Sequence, residues 1–110
     1  MTIVANLLNK EYIRNHNMIE EYLKELAILP RGSIKAKNVG NKTYYYLNYR
    51  DGKKVISKYV GKSIESLKQI KEQLERRSQI ESMLRKLKEE QSQIKKMEAL
   101  LWFYIMEAIL

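Results

Sequence analysis

The 110-residue chain has no cysteine, one histidine, one proline and four glycines, and each shortage closes off a class of function. Without cysteine there is no disulfide, no thiolate metal site and no thiol nucleophile, a composition that fits a cytoplasmic protein. The lone His16 lies between two asparagines and reads as a solvent-facing side chain, neither ligand nor base. The most apolar stretch, Ala99–Leu110, is twelve residues with one charge, Glu107. That is too short to span a bilayer, and docking on a membrane surface is a lesser alternative to a dimer seam or an intrachain helical bundle. Met1-Thr2-Ile3-Val4-Ala5 also lacks the basic n-region and cleavage site of a signal peptide. Phosphate-cradling glycine loops, nucleophile motifs and Cys/His ligand spacings are missing as well. The carboxylates are nearly all glutamates interleaved with Lys and Arg, such as Glu72 with Arg76 and Glu81 with Arg85. Solvated i,i+4 pairs of this kind are worth roughly a few tenths of a kcal/mol each. The expectation is a non-enzyme with no catalytic residue, no cofactor and no metal.

Acid is scarce in one place above all. Residues 31–62 hold nine cations (Arg31, Lys35, Lys37, Lys42, Arg50, Lys53, Lys54, Lys58, Lys62) against a single acid, Asp51. The net charges of residues 1–30, 31–62 and 63–110 are −1, +8 and +1, so the whole-chain charge of +8 belongs to the middle segment. A positive field placed so unevenly is an electrostatic footprint for a polyanion.

All four glycines, Gly32, Gly40, Gly52 and Gly61, fall in the same segment and divide it into Ser33–Val39, Lys42–Arg50 and Lys53–Val60. The run Thr43-Tyr44-Tyr45-Tyr46-Leu47-Asn48-Tyr49 has strong strand propensity. Gly40-Asn41 and Asp51-Gly52 are hairpin signals, which together predict a three-stranded antiparallel meander. Pairing Val39 with Lys42 sets Ile34 opposite Leu47, Ala36 opposite Tyr45 and Lys37 opposite Tyr44. Pairing Arg50 with Lys53 sets Leu47 opposite Ile56 and Tyr44 opposite Tyr59. One face then carries Ile34, Ala36, Tyr45, Leu47, Tyr49, Ile56 and Val60, interrupted by Lys54 and Lys58, and is expected to lie under helices. The other carries Lys35, Lys37, Tyr44, Tyr46, Asn48, Arg50, Lys53, Ser57 and Tyr59, with Val39 and Val55. These are the candidate nucleic-acid-binding residues, expected to face solvent or ligand. A narrow β-ribbon fits the roughly 12 Å major groove, where Arg, Lys and Asn reach base edges and other lysines meet phosphates. The same tyrosines could stack single-stranded bases, or simply pair across strands.

The flanks read as helices. Asn17-Met18-Ile19-Glu20 has the form of a capping box, with Ile19, Tyr22, Leu23 and Leu26 on one stripe after it and Pro30 as the stop. Ile3, Val4, Leu7, Leu8 and Tyr12 suggest an earlier helix that can merge with this one near Asn15-His16-Asn17. From Ser63, a plausible N-cap, to Leu110 there is neither glycine nor proline. Leu67, Ile70, Leu74, Ile80, Leu84, Leu87, Ile94, Met97 and Leu101 form an apolar seam interrupted by Arg77 and Gln91. As one helix it would extend about 70 Å. It is therefore expected either to break near 89–93 or to pack on the N-terminal helices and a second copy, giving a homodimer through 63–110. Ile3, Val4, Leu7 and Leu8 are candidates to cover the apolar end. The fold class is α+β, a single domain with residues 1–29 helical, 31–62 a β-meander and 63–110 a long helix.

Gly32-Ser33-Ile34-Lys35, Tyr44-Tyr45-Tyr46-Leu47, Tyr49-Arg50-Asp51-Gly52-Lys53-Lys54 and Lys58-Tyr59-Val60-Gly61-Lys62 together resemble N-terminal modules of bacterial transposases. The pattern is also similar to the arm-type DNA-binding domain of tyrosine integrases, a three-stranded sheet followed by a helix. The resemblance covers about residues 31–75. It implies a sheet laid in the major groove, with Lys35, Lys37, Tyr44, Tyr46, Asn48, Arg50 and Ser57 toward the DNA. No catalytic domain follows the module in this chain, so recombinase chemistry does not carry over. Small proteins of this kind look like cargo of phages and mobile elements, which implies a host-cell cytoplasmic setting and brings in a second reading. That reading is an anti-CRISPR or similar inhibitor binding a nuclease, its guide RNA or another nucleoprotein. Inhibitors that mimic DNA are usually acidic, so a basic one would contact guide RNA or an acidic protein surface.

Overall fold

The computed structural model describes residues 2–61 and 63–109; Lys62, the last cation of the basic stretch, lies outside them, as do Met1 and Leu110. The fold is α+β. Helix α1 (Thr2–Ile28) leads into strands β1 (Ser33–Val39), β2 (Lys42–Asp51) and β3 (Lys54–Gly61), and helix α2 (Ile64–Ile109) follows. The strands form one antiparallel sheet in the order β1-β2-β3. Two compact units result, Met1–Glu25 with Glu81–Leu110, and Leu26–Ile80.

The first unit pairs α1 with the C-terminal part of α2. On α1 the inward positions are Leu8, Tyr12, Asn15, Ile19 and Tyr22, with Asn15 and Ile19 buried. Steps of four and three residues between them are the spacing of a coiled-coil seam. Leu84, Leu87 and Ile94 are the buried side chains facing that seam from α2. Asn15 Nδ2 donates to Leu87 O at 2.8 Å, while Arg14 bridges Glu90 at 3.0 Å and Glu11 at 2.9 Å. Both cross-helix bonds fix the helices as antiparallel. Asn17 does not begin a helix: α1 runs unbroken through it, because the seam continues from Tyr12 to Ile19 without a phase change. His16 is exposed, as expected, pairing with Glu20 at 3.2 Å and stacking on Tyr12. Met97, placed on the seam by its spacing, is 55% exposed, and Leu23 is also exposed. The break considered near residues 89–93 is absent, since α2 is one continuous helix.

The second unit is the sheet with the end of α1 and the start of α2. Ser63 caps α2 by accepting from Ser66 N at 3.1 Å, and donates its own hydroxyl proton to Ser66 Oγ at 2.8 Å. The other helix end has a different solution. Pro30 cannot supply the N–H that Leu26 O would take in a continuing helix, and the last turn of α1 has no basic residue. Arg77 supplies the donor from α2, its Nη1 lying 3.2 Å from both Leu26 O and Leu29 O. The residue that interrupts the apolar seam is therefore the cap of the neighbouring helix.

Both hairpin turns place a glycine with positive φ first, Gly40 at 63° and Gly52 at 62°, and neither Asn41 nor Lys53 has positive φ. That is the type II′ pattern. The first hairpin has the expected register, Val39↔Lys42 through Ser33↔Asn48. Thr43 Oγ1 donates across it to Asn38 Oδ1 at 2.9 Å. The second turn is Gly52-Lys53 rather than Asp51-Gly52, so Asp51 pairs with Lys54 and Leu47 faces Lys58 instead of Ile56. The slip is two residues in pairing, and the side-chain period of two leaves each face's membership intact except for Lys53, which now lies in the turn. Between Tyr46↔Tyr59 and Tyr45↔Gly61 the register shifts, leaving Val60 as the extra residue of a bulge.

Hydrogen bonds to a charged donor contribute about 1.5–3 kcal/mol, and these two are part-buried, while Leu26 O also keeps a 3.3 Å bond from Leu29 N. Arg77→Met keeps the stem and removes the guanidinium. It should lower unfolding free energy by roughly 2–3 kcal/mol in urea titration, with Arg77→Lys intermediate. Equal stability of Arg77→Met and the parent would refute the capping role.

Candidate nucleic-acid interface

The strand register decides what the basic segment can do. From β1 it brings Ser33, Lys35, Lys37 and Val39 to one face; from β2, Lys42, Tyr44, Tyr46, Asn48 and Arg50; and from β3, Val55, Ser57 and Tyr59. Two rungs cross all three strands, Lys35–Tyr46–Tyr59 and Ser33–Asn48–Ser57. The face holds no acid, because Asp51 has the opposite parity and pairs with Lys54. Lys35, Lys37, Lys42 and Arg50 are all exposed. They rim a tyrosine centre in which Tyr59 packs on Tyr46 at 5.5 Å and on Tyr44 at 6.2 Å, with rings tilted by 54° and 51°. That is the geometry favoured by ring quadrupoles.

The opposite face is anchored by Leu47, which is 5% exposed. A cleft of about 290 Å³ over it is lined by Pro30, Lys58, Val60 and, from α2, Ser66, Gln69 and Ile70. Arg31 lies over the Tyr49 ring, 5.6 Å from its centroid, so this cation is committed to packing. Gly32 (φ 116°) brings the chain so close to β2 that a Cβ there would collide with the Asn48 carbonyl oxygen and the Tyr49 Cβ.

Of the nine residues expected at the interface, the structure collects eight on one face: Lys35, Lys37, Tyr44, Tyr46, Asn48, Arg50, Ser57 and Tyr59. Lys53 is the exception, since the moved turn takes it off the ladder. Lys42 was missed, although its pairing with Val39 and its even spacing from Tyr44 carry the signal. The contrast in burial between the faces is smaller than expected. Tyr45 and Ile56 are half-buried rather than buried, and Tyr44, Tyr46 and Asn48 are half-buried rather than open. The tyrosines shield one another, and the helical cover on the opposite face centres on Leu47. Asn48 Oδ1 is buried without a hydrogen-bond partner.

No group of His, Cys, Asp or Glu suited to a metal ion occurs among the described residues, and none of their helices is long and apolar enough to cross a membrane.

If the rings of Tyr46 and Tyr59 support each other, Tyr46→Leu and Tyr59→Leu should be non-additive. A coupling energy of about 0.5–1.5 kcal/mol is expected in a double-mutant cycle of unfolding free energies. Simple additivity would show that the pair contributes nothing beyond burial.

Among known proteins, a family described as a domain of unknown function, DUF6788, matches residues 10–69, which spans most of α1, the whole sheet and the first turns of α2. No curated protein and no solved structure matches the chain.

Proposed function

The chain belongs to the DUF6788 family, and we propose that it is a non-enzymatic nucleic-acid-binding protein that applies the lysine-rimmed face of its sheet to duplex DNA. The observation that carries this reading is the sorting of charge by register. Four exposed cations and an asparagine share one face, and the segment's single acid, Asp51, lies on the other with Lys54 and Lys58. Three strands spaced about 4.8 Å apart make a ribbon about 10 Å across, which matches the roughly 12 Å major groove. In that pose Lys35 and Lys37 on the β1 edge and Lys42 at the start of the central strand serve phosphates. Arg50 has the chemistry for a base edge, a guanidinium for guanine, and Asn48 sits beside it on the same face with its Oδ1 buried. The likeness to transposase and integrase arm modules supports the same pose. Tilted packing among Tyr44, Tyr46 and Tyr59 favours duplex over single strands, since the rings are spent on each other rather than offered as separate stacking platforms.

Mobility-shift titrations with duplex DNA, single strands and structured RNA over a range of salt concentrations test the reading. With three lysines at phosphates, log K should fall against log[salt] with a slope of roughly −3 on duplex. Lys35→Ala and Lys37→Ala should each weaken binding and flatten the slope by about one. Lys54→Ala and Lys58→Ala remove the same charge from the opposite face and should change affinity much less. Absence of binding to every nucleic acid at low salt would sink the reading and transfer the basic face to a nucleoprotein or acidic protein partner. Equal effects from both lysine pairs would remove the face from the argument.

A further inference from the structure

The first unit ends in a surface that its own helices leave open. Ile3, Val4 and Leu7 on α1, with Met97, Leu100, Trp102, Phe103, Tyr104, Met106 and Ile109 on α2, are between 40 and 76% exposed. These ten side chains uncover on the order of 1,000 Å² of apolar surface, where a monomer's largest patch is typically about 300–600 Å². A standard interface takes roughly 800 Å² from each partner. At 100° per residue, Leu101 and Ile105 mark the half-covered side of α2, and Leu100, Phe103, Trp102 and Met106 fall on the flanks and back. A helix apolar all round is a helix meant to be buried on every side. Between the two helices Val4, Leu8, Met97, Leu100, Leu101 and Tyr104 line an open groove of about 490 Å³, with the shape and chemistry to receive another helix.

We propose that the occupant is a second copy of this chain, the two apolar ends joining in a helical bundle. The surface is nearly devoid of charge. Residues 3–9 carry none, and residues 97–109 carry only Glu98 and Glu107. Two copies of a strongly cationic protein thus meet at a place where neither brings a cation. A partner recognised by charge would find nothing to pair with except those two acids. A membrane surface is a poor fit, because helices that lie on anionic lipid carry Lys and Arg on the polar face, and here that face carries glutamate. The bundle does not depend on nucleic-acid binding, and failure of either proposal leaves the other standing.

Sedimentation equilibrium of the full chain should report twice the 13.1 kDa chain mass at about 100 µM, a concentration at which an interface of this size is populated. Trp102 is the one tryptophan and is 65% exposed on the single chain, so it reports directly. Its emission should be blue-shifted at high concentration and move to the red on dilution. Phe103→Glu and, separately, Leu100→Ser should yield monomers with unchanged helical circular dichroism. Should one variant fail to fold, the other and the dilution series of the parent still decide. A parent that stays monomeric at 100 µM overturns the proposal, as does a dimer that both variants leave intact. A monomer that co-sediments with phosphatidylglycerol vesicles would overturn it in favour of a lipid surface.

Discussion

Much of the second unit depends on one contact, the guanidinium of Arg77 on the last carbonyls of α1. Pro30 ends that helix, so Leu26 O loses the i+4 donor and keeps only a 3.3 Å bond from Leu29 N. A helix end left in this condition would fray, and the chain beyond it enters the sheet within a few residues, at Ser33. Holding Leu26 and Leu29 therefore also holds the entry to β1, where Gly32 allows the backbone to lie against Asn48 and Tyr49. Arg31, over the Tyr49 ring, ties the same short connection down from the other side. Three consecutive constraints thus act where α1 becomes the sheet, and the positions of Lys35 and Lys37 follow from them.

Within the sheet, order comes from two glycines rather than from hydrophobic alternation, which is weak here. Lys54 and Lys58 sit on the face that carries Leu47, and Val39 and Val55 sit on the face that carries the lysines. Turn geometry sets the parity, and parity then sorts charge. Removing the acid from one face required only that Asp51 fall at an odd position beside Leu47 and Tyr49.

Most of this could be read in advance. The meander, the first register and the membership of both faces followed from glycine placement and a period of two. The second turn was misplaced because Asp-Gly is a strong hairpin signal, whereas the backbone uses the glycine-first turn already visible at Gly40-Asn41. An Asp-Gly turn would put Lys53 on the ladder, whereas pairing with Val39 and even spacing from Tyr44 put Lys42 on the face. Asn17 imitated a cap because its local pattern is right, but the seam passing from Tyr12 through Asn15 to Ile19 outweighs a local hydrogen bond. Arg77 was visible only as a flaw in an apolar stripe. Its partners lie about fifty residues away, and no local pattern encodes carbonyls waiting at the end of another helix.

The sheet has only three strands, so two of them, β1 and β3, are outer strands whose backbone donors and acceptors have no neighbour in the sheet on one side. Exposed edges of this kind invite strand addition from other molecules, and lysine along the edge is a common protection against it. Lys35 and Lys37 on β1 and Lys54 and Lys58 on β3 meet that need whether or not a polyanion is present. Drift at these positions toward neutral residues would be opposed by edge-to-edge aggregation, so the basic character of both edges is held in place by the sheet's own exposed strands.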